Sequence, residues 1–157
     1  MPISTPPKFL CDDNLGKLAR FLRMLGYDTF FEKTLSDARL LSTMLKEDRV
    51  VLTRDRKLAK KLPAGQFLLI ETDSPEEQLI SVIQQFQLKP DRDDFFSRCL
   101  ECNERCVEVS RGEVKDRVFP FVLKSHESFT QCPVCNRIYW PGSHYKAMVD
   151  KLESILR

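Results

Sequence analysis

The sequence predicts an α/β fold: a parallel sheet flanked by helices, with a small C-terminal zinc ribbon appended. Three observations carry this. Between Lys8 and Phe86, short apolar runs alternate four times with segments of helical period, as in strands joined by crossover helices. The alternation stops after a polar, proline-bearing stretch at 89–94. Beyond it stand two C-x2-C pairs, Cys99/Cys102 and Cys132/Cys135.

The elements are legible in order. Met1–Pro7 reads as a proline-bearing tail. Lys8–Cys11 predicts a first strand. The segment from about Asn14 to Leu25 predicts a helix, with Leu15, Leu18, Ala19, Leu22 and Leu25 on one face and Gly26 as its closing C′ residue. Tyr27–Phe31 predicts a second strand and Ser36–Lys46 a second helix. Val50–Thr53 is unbroken in its apolar character, which predicts a strand buried on both faces. A short helix over Arg56–Leu62 and a strand over Phe67–Ile70 follow. Ser74-Pro75-Glu76-Glu77 is a capping box with proline at N1, opening a helix through Phe86. The chain ends in a predicted helix, Tyr145–Leu156.

With 157 residues, the chain suits one compact domain over 1–90 and a smaller unit over 97–157. Hydrophobic content of 42% and charged content of 31% argue against disorder. A net charge of +2 is too small to attract a polyanion as a whole, so any nucleic-acid site must be a local basic patch. No apolar run approaches the roughly 20 residues of a membrane span, and MPISTPPKFL lacks the pattern of a signal peptide. The expectation is a cytoplasmic protein with no membrane partner. In a reducing compartment six cysteines point to metal rather than disulfides.

Each C-x2-C turn aims two sulfurs at one ion, and two turns complete a tetrahedral zinc site. Four thiolates leave no open position, so the expected role is structural. The apolar residues between the pairs, Val107, Val109, Val114, Val118, Phe119 and Phe121, are expected to supply strands around it. Cys106 is expected to be a spare and Cys11 a small core residue.

Four aspartates occupy comparable places in the αβ units: Asp12 and Asp55 after strands one and three, Asp37 opening helix two, and Asp73 after strand four. Strand ends on one edge of a parallel sheet converge, and ligands bind there. Clustered carboxylates favour a hard cation such as Mg²⁺ or Mn²⁺, which activates water and clamps a phosphodiester. Taken singly, Asp13 or Asn14 reads as a helix cap, and Asp73 as a turn residue. Asp12 and Asp55, just past buried strands, read as functional. Lys17, Arg20 and Arg23 lie off the apolar face of helix one and suit either solvent or a phosphate backbone; Arg54 and Arg56 flank Asp55 likewise. Tyr139, Trp140 and His144 offer a surface on which bases stack, or else a small core.

In the order FLCDDNLGKLARFLRMLGYD, VVLTRD, EEQL, C-x2-C and CPVCNRIYWPGSHY, the chain resembles the Mut-seven C-terminal RNase family from about Lys8 to Met148. That resemblance implies a PIN-like nuclease domain followed by a zinc ribbon. It implies a Mg- or Mn-dependent ribonuclease, with Asp12, Asp37 and Asp55 at the family's acidic positions and Asp73 placed by position alone. The implied partner is RNA, single-stranded or structured. The rival expectations are a non-catalytic RNA- or ribosome-associated protein and a receiver-like phosphotransfer domain. The latter needs a lysine where the fourth strand ends in Ile70-Glu71-Thr72-Asp73.

Overall fold

The computed structural model describes residues 5–157; residues 1–4 of the expected tail lie outside the described residues. Four parallel strands form the first sheet: β1 (Lys8–Cys11), β2 (Thr29–Phe30), β3 (Arg49–Thr53) and β4 (Phe67–Leu69), in the order β2-β1-β3-β4. Side chains alternate across a strand. Phe9, Cys11 and Leu52 therefore enter one core with α1 (Gly16–Met24) and α4 (Pro75–Phe86). Leu10 and Val51 enter the opposite core, with Leu40 and Met44 of α2 (Asp37–Glu47) and Leu58 of α3 (Arg56–Ala59). Cys11 is a core residue as expected, and burial holds its thiol far above the usual range.

The ends of α1 depart from expectation in one place and follow it in another. It starts at Gly16 on Leu15, which offers no side-chain cap, so neither Asp13 nor Asn14 caps the helix. It ends in a Schellman motif. Gly26 N–H donates to Arg23 O and Tyr27 N–H to Leu22 O, both at 3.0 Å. Gly26 has φ +96°, and a Cβ there would meet Asp94 O at 2.7 Å, so the conformation and the close approach both require glycine. The box before α4 is half formed: Ser74 Oγ accepts from Glu77 N–H, but the Glu77 carboxylate turns to the Thr72 hydroxyl.

The second sheet is antiparallel: β5 (Val107–Val109), β6 (Phe129–Gln131) and β7 (Ile138–Tyr139) in sequence order. Between β5 and β6 the expected strands are replaced by α5 (Arg111–Val114) and α6 (Pro120–Ser125). Local start signals decide this. Ser110 Oγ caps α5, and Pro120 occupies the first turn of α6, where its missing N–H costs nothing. Phe119 and Phe121 consequently stand in solvent, 80% and 75% exposed. No helix among the described residues is long and apolar enough to cross a membrane.

The last helix, α7 (Ser143–Leu156), packs back onto the parallel-sheet unit. Its Val149 and Leu152 share one core with α1, α4 and the linker residues Phe95 and Phe96. The seam between the two units is also polar. Arg23, expected on the exposed face of α1, is only 6% exposed. Its Nε–H donates to Thr29 O at 2.9 Å, and Nη1 to Leu100 O at 2.8 Å and Glu101 O at 3.3 Å. The helical wheel puts Arg23 outside because it counts only the face toward the sheet; the first cysteine turn covers the other side. Asn103 works beside it. Its Oδ1 accepts from Thr29 N–H at 2.8 Å, and its Nδ2 donates to Asp28 Oδ1 at 2.6 Å, which also meets Arg49 Nη1 at 2.8 Å.

Replacing Arg23 with alanine leaves buried carbonyls without donors and is expected to cost about 3 kcal/mol. Urea unfolding checks this; an unchanged midpoint would contradict it. Burial raises the Asp28 pKa, but the bonds from Asn103 and Arg49 outweigh it, so the net shift is downward. Its folded value lies below its unfolded value, about 3.9. The stabilisation is therefore complete above that pH and is lost as pH falls through the folded value.

Candidate active-site rim and metal centre

The order in which strands are added to the sheet reverses between β1 and β3, since β2 lies on one side of β1 and β3 on the other. This is the topological switch point, where the carboxyl ends of strands open a crevice. Asp12 and Asp55 follow these two strands. Asp12 N–H continues the ladder to Leu52 O at 3.0 Å, so its side chain projects from the rim. Its Oδ2 accepts from the Thr53 hydroxyl at 2.7 Å, and its Oδ1 from Asp13 N–H at 2.8 Å. Thr53 Oγ1 in turn accepts from Asp55 N–H at 2.9 Å. One buried hydroxyl thus fastens both acids to the same edge. Asp55 Oδ1 caps α3, accepting from Lys57 N–H at 2.9 Å and Leu58 N–H at 3.2 Å.

Asp37, in the first turn of α2, and Asp73, after β4, are exposed and follow the carboxyl ends of the two outer strands. Among the described residues, no three carboxylate, imidazole or thiol groups outside the cysteine centre come within 4.8 Å of one another. Thr53 thus links Asp12 and Asp55, whereas Asp37 and Asp73 do not join them in one tight cluster. A site of one or two carboxylates would suit Mg²⁺ only with waters and substrate phosphate oxygens completing its shell. Lys17 and Arg54 are exposed near the same edge. Arg20, one turn further along α1, pairs with Glu101 at 3.2 Å; both side chains are about half exposed, so the pair adds little stability.

The cysteine centre is compact. The sulfurs of Cys99, Cys102, Cys132 and Cys135 lie within 4.8 Å of one another and fit a metal ion. Cys106 is outside that group, as expected of a spare. The two turns repeat each other in detail. Cys99 N–H donates to Glu104 O and Asn103 N–H returns to Cys99 O; Cys132 N–H donates to Arg137 O and Asn136 N–H returns to Cys132 O. Asn103 and Asn136 both hold positive φ, 68° and 64°, which asparagine tolerates better than most residues. Backbone N–H groups of Cys102, Val134 and Cys135 lie 3.4–3.5 Å from the leading sulfurs, poised to stabilise thiolate charge. Burial and the neighbouring sulfurs push Cys102 up to about 12, while the Arg137 N–H draws Cys135 down to about 7. Crowded thiols resist ionising together, so a dication is the natural counter-charge.

The ribbon residues divide. The Tyr139 hydroxyl lies 3.1 Å from Cys99 Sγ and accepts from Leu100 N–H at 3.2 Å, which ties it to the cysteine centre. Trp140 packs against Phe129, with ring centres 6.3 Å apart, yet also lines an open cavity with the exposed His144.

Residues 7–152 match the family model of the Mut7-C RNAse domain. The chain belongs to the Mut7-C family. It is 30% identical over 126 residues to the Homo sapiens exonuclease mut-7 homolog, a match covering 76% of this chain and 14% of that protein. The family match runs through both sheets of this Mut7-C chain, and with the relative's name it supports a nuclease. The sequence did not single out Thr53 as the link between Asp12 and Asp55, although its place two before Asp55 in L-T-R-D was the available signal. Nor did it single out Asn103 and Asn136; the repeated C-x2-C-N was theirs.

Proposed function

We propose that this chain is a metal-dependent ribonuclease hydrolysing RNA phosphodiester bonds at the switch-point rim, with a structural zinc in the four-cysteine centre. The observation that carries it is the Asp12–Thr53–Asp55 linkage, which sets two acids from distant segments on one edge of the sheet. Asp12 and Asp55, with Asp37 and Asp73 from the flanking loops, would hold Mg²⁺ or Mn²⁺. Such an ion, when bound, supplies Lewis-acid charge at the phosphate and acidifies water. Thr53 fixes the Asp12 carboxylate so that its position costs no reorganisation during reaction. Lys17 and Arg20 hold the phosphate backbone beside the rim, without Arg23, whose guanidinium is occupied by carbonyls.

The test is cleavage of end-labelled RNA by the purified chain, first in chelator and then with Mn²⁺ or Mg²⁺. Cleavage is expected only with metal, and only when Asp12 and Asp55 are intact. Equal cleavage by wild type, Asp12→Asn and Asp55→Asn would mean a contaminant and end the reading. A non-catalytic RNA-binding role is the competing reading, favoured by the engagement of Asp55 Oδ1 in capping α3. RNA shifted in gels but left whole with Mn²⁺ would establish it.

A further inference from the structure

A cavity of about 660 Å³ lies away from the acids, between the ribbon, α6, the start of α7 and α1. Its walls are aromatic and cationic. Trp140 and Tyr145 line it together with Phe121 of α6, which is 75% exposed. Leaving so large an apolar ring in water is unfavourable, and a contiguous exposed apolar patch marks a binding surface. The indole is held by the fold: it packs on Phe129, and a Cβ at Gly142 would sit 2.9 Å from Trp140 Nε1, so glycine lets the backbone pass beside it. Both histidines of the chain, His126 and His144, line the cavity with Arg20 and Arg137. Its one acidic lining residue, Glu101, is paired with Arg20. The first turn of α7 contributes no acidic side chain.

The cavity also leads somewhere. An adjoining groove of about 430 Å³ shares Arg20 and Met148 with it and adds Lys17, together with Lys151 and Glu76, which pair with each other at 3.3 Å. Arg20 therefore stands at the junction, and Lys17 one turn before it lies five residues past Asp12. Flat aromatic surfaces joined to Arg137, Arg20 and Lys17 match a strand whose bases are unpaired and whose phosphates are evenly spaced. A duplex keeps its base faces stacked inside and presents none to Trp140 or Phe121.

We propose that this groove binds single-stranded RNA, with bases against Phe121 and Trp140 and with Arg20 and Lys17 leading the phosphates to the acidic rim. This names the substrate form for the ribonuclease reading and rests on it for direction; the binding itself is tested separately. The probe is a short mixed-sequence oligoribonucleotide, used alone or annealed to its complement. The protein is the full zinc-loaded chain carrying Asp12→Asn, so that the probe stays intact. Trp140, the one tryptophan, reports binding by fluorescence.

Single strand is expected to quench Trp140, and duplex to bind at least about 10-fold more weakly. Phe121→Ala is expected to weaken single-strand binding about 10-fold, as for loss of one base–aromatic stack. Its zinc content and melting temperature should match the parent, since Phe121 is largely exposed. Unchanged affinity in Phe121→Ala, equal binding of duplex, or no response to saturating RNA each overturns the proposal. Single-strand binding that needs Phe121 in a chain that cleaves nothing would keep the groove and remove the nuclease. Cleavage by the wild-type chain with no role for Phe121 would do the reverse.

Discussion

Asp12→Asn is expected to lower metal-dependent RNA cleavage by more than about 100-fold while leaving the melting temperature nearly unchanged. Replacing a group that merely orients a metal ligand costs roughly 10–100-fold; losing a carboxylate that meets the ion directly costs more. Asparagine keeps the shape, and its amide oxygen can still accept from Thr53; the bond lost is the exposed one from Asp13 N–H, so the fold has little to lose. Thr53→Val separates position from charge. Valine fills the same buried space but removes the donor to Asp12 and the acceptor of Asp55 N–H. It is expected to fall between wild type and Asp12→Asn, with a higher metal concentration needed for half-maximal cleavage. Single-turnover cleavage across a Mn²⁺ titration checks both. A Thr53→Val enzyme with wild-type metal dependence would show that the hydroxyl does not position the acids.

Removing the ribbon's metal is expected to have the largest effect on stability. Structural zinc contributes an apparent 10–16 kcal/mol or so to the fold that binds it, comparable with the roughly 5–15 kcal/mol holding a whole domain together. Cys99→Ser or Cys132→Ser should therefore lose zinc and unfold the ribbon, whereas Cys106→Ser should keep its metal. The damage should reach the parallel sheet, because the first cysteine turn supplies the acceptor for Arg23 and, through Asn103, the partner of Thr29 N–H. Elemental analysis with near-ultraviolet circular dichroism checks this. Well under about one zinc per wild-type chain would remove the four-thiolate assignment. Acid should act in the same direction. Metal-bound thiolates have pKa values below the roughly 8.5 of unfolded cysteine, so this stabilisation is present above that pH and is lost as protons displace the metal.

The strands, helices and knuckles of this protein were legible because their signals are local. The apolar period at Leu15, Leu18 and Leu22 marks α1, the Ser74-Pro75 start marks α4, and C-x2-C spacing brings sulfurs together within one turn. Local signals were also present but outweighed in the segment from Ser110 to Phe121, where valines and phenylalanines imply strands while Ser110 and Pro120 start helices. Residues 31 and 62, at the expected ends of β2 and α3, lie outside those elements because the ends of short elements are set by packing.

What one chain of letters decided here is composition by period: which stretches pair as buried strands, which faces of helices are apolar, and which cysteines make one site. What only the folded chain decided is company. Arg23 looks solvent-facing until the cysteine turn closes over it, and Thr53 looks like any strand end until two aspartates share its hydroxyl. Phe121, Trp140 and Arg20 are far apart in sequence and border one cavity only once α7 has docked. The reason is physical: periodicity is written within a turn or a pleat, whereas a site is made of contacts between segments whose meeting depends on how every layer packs.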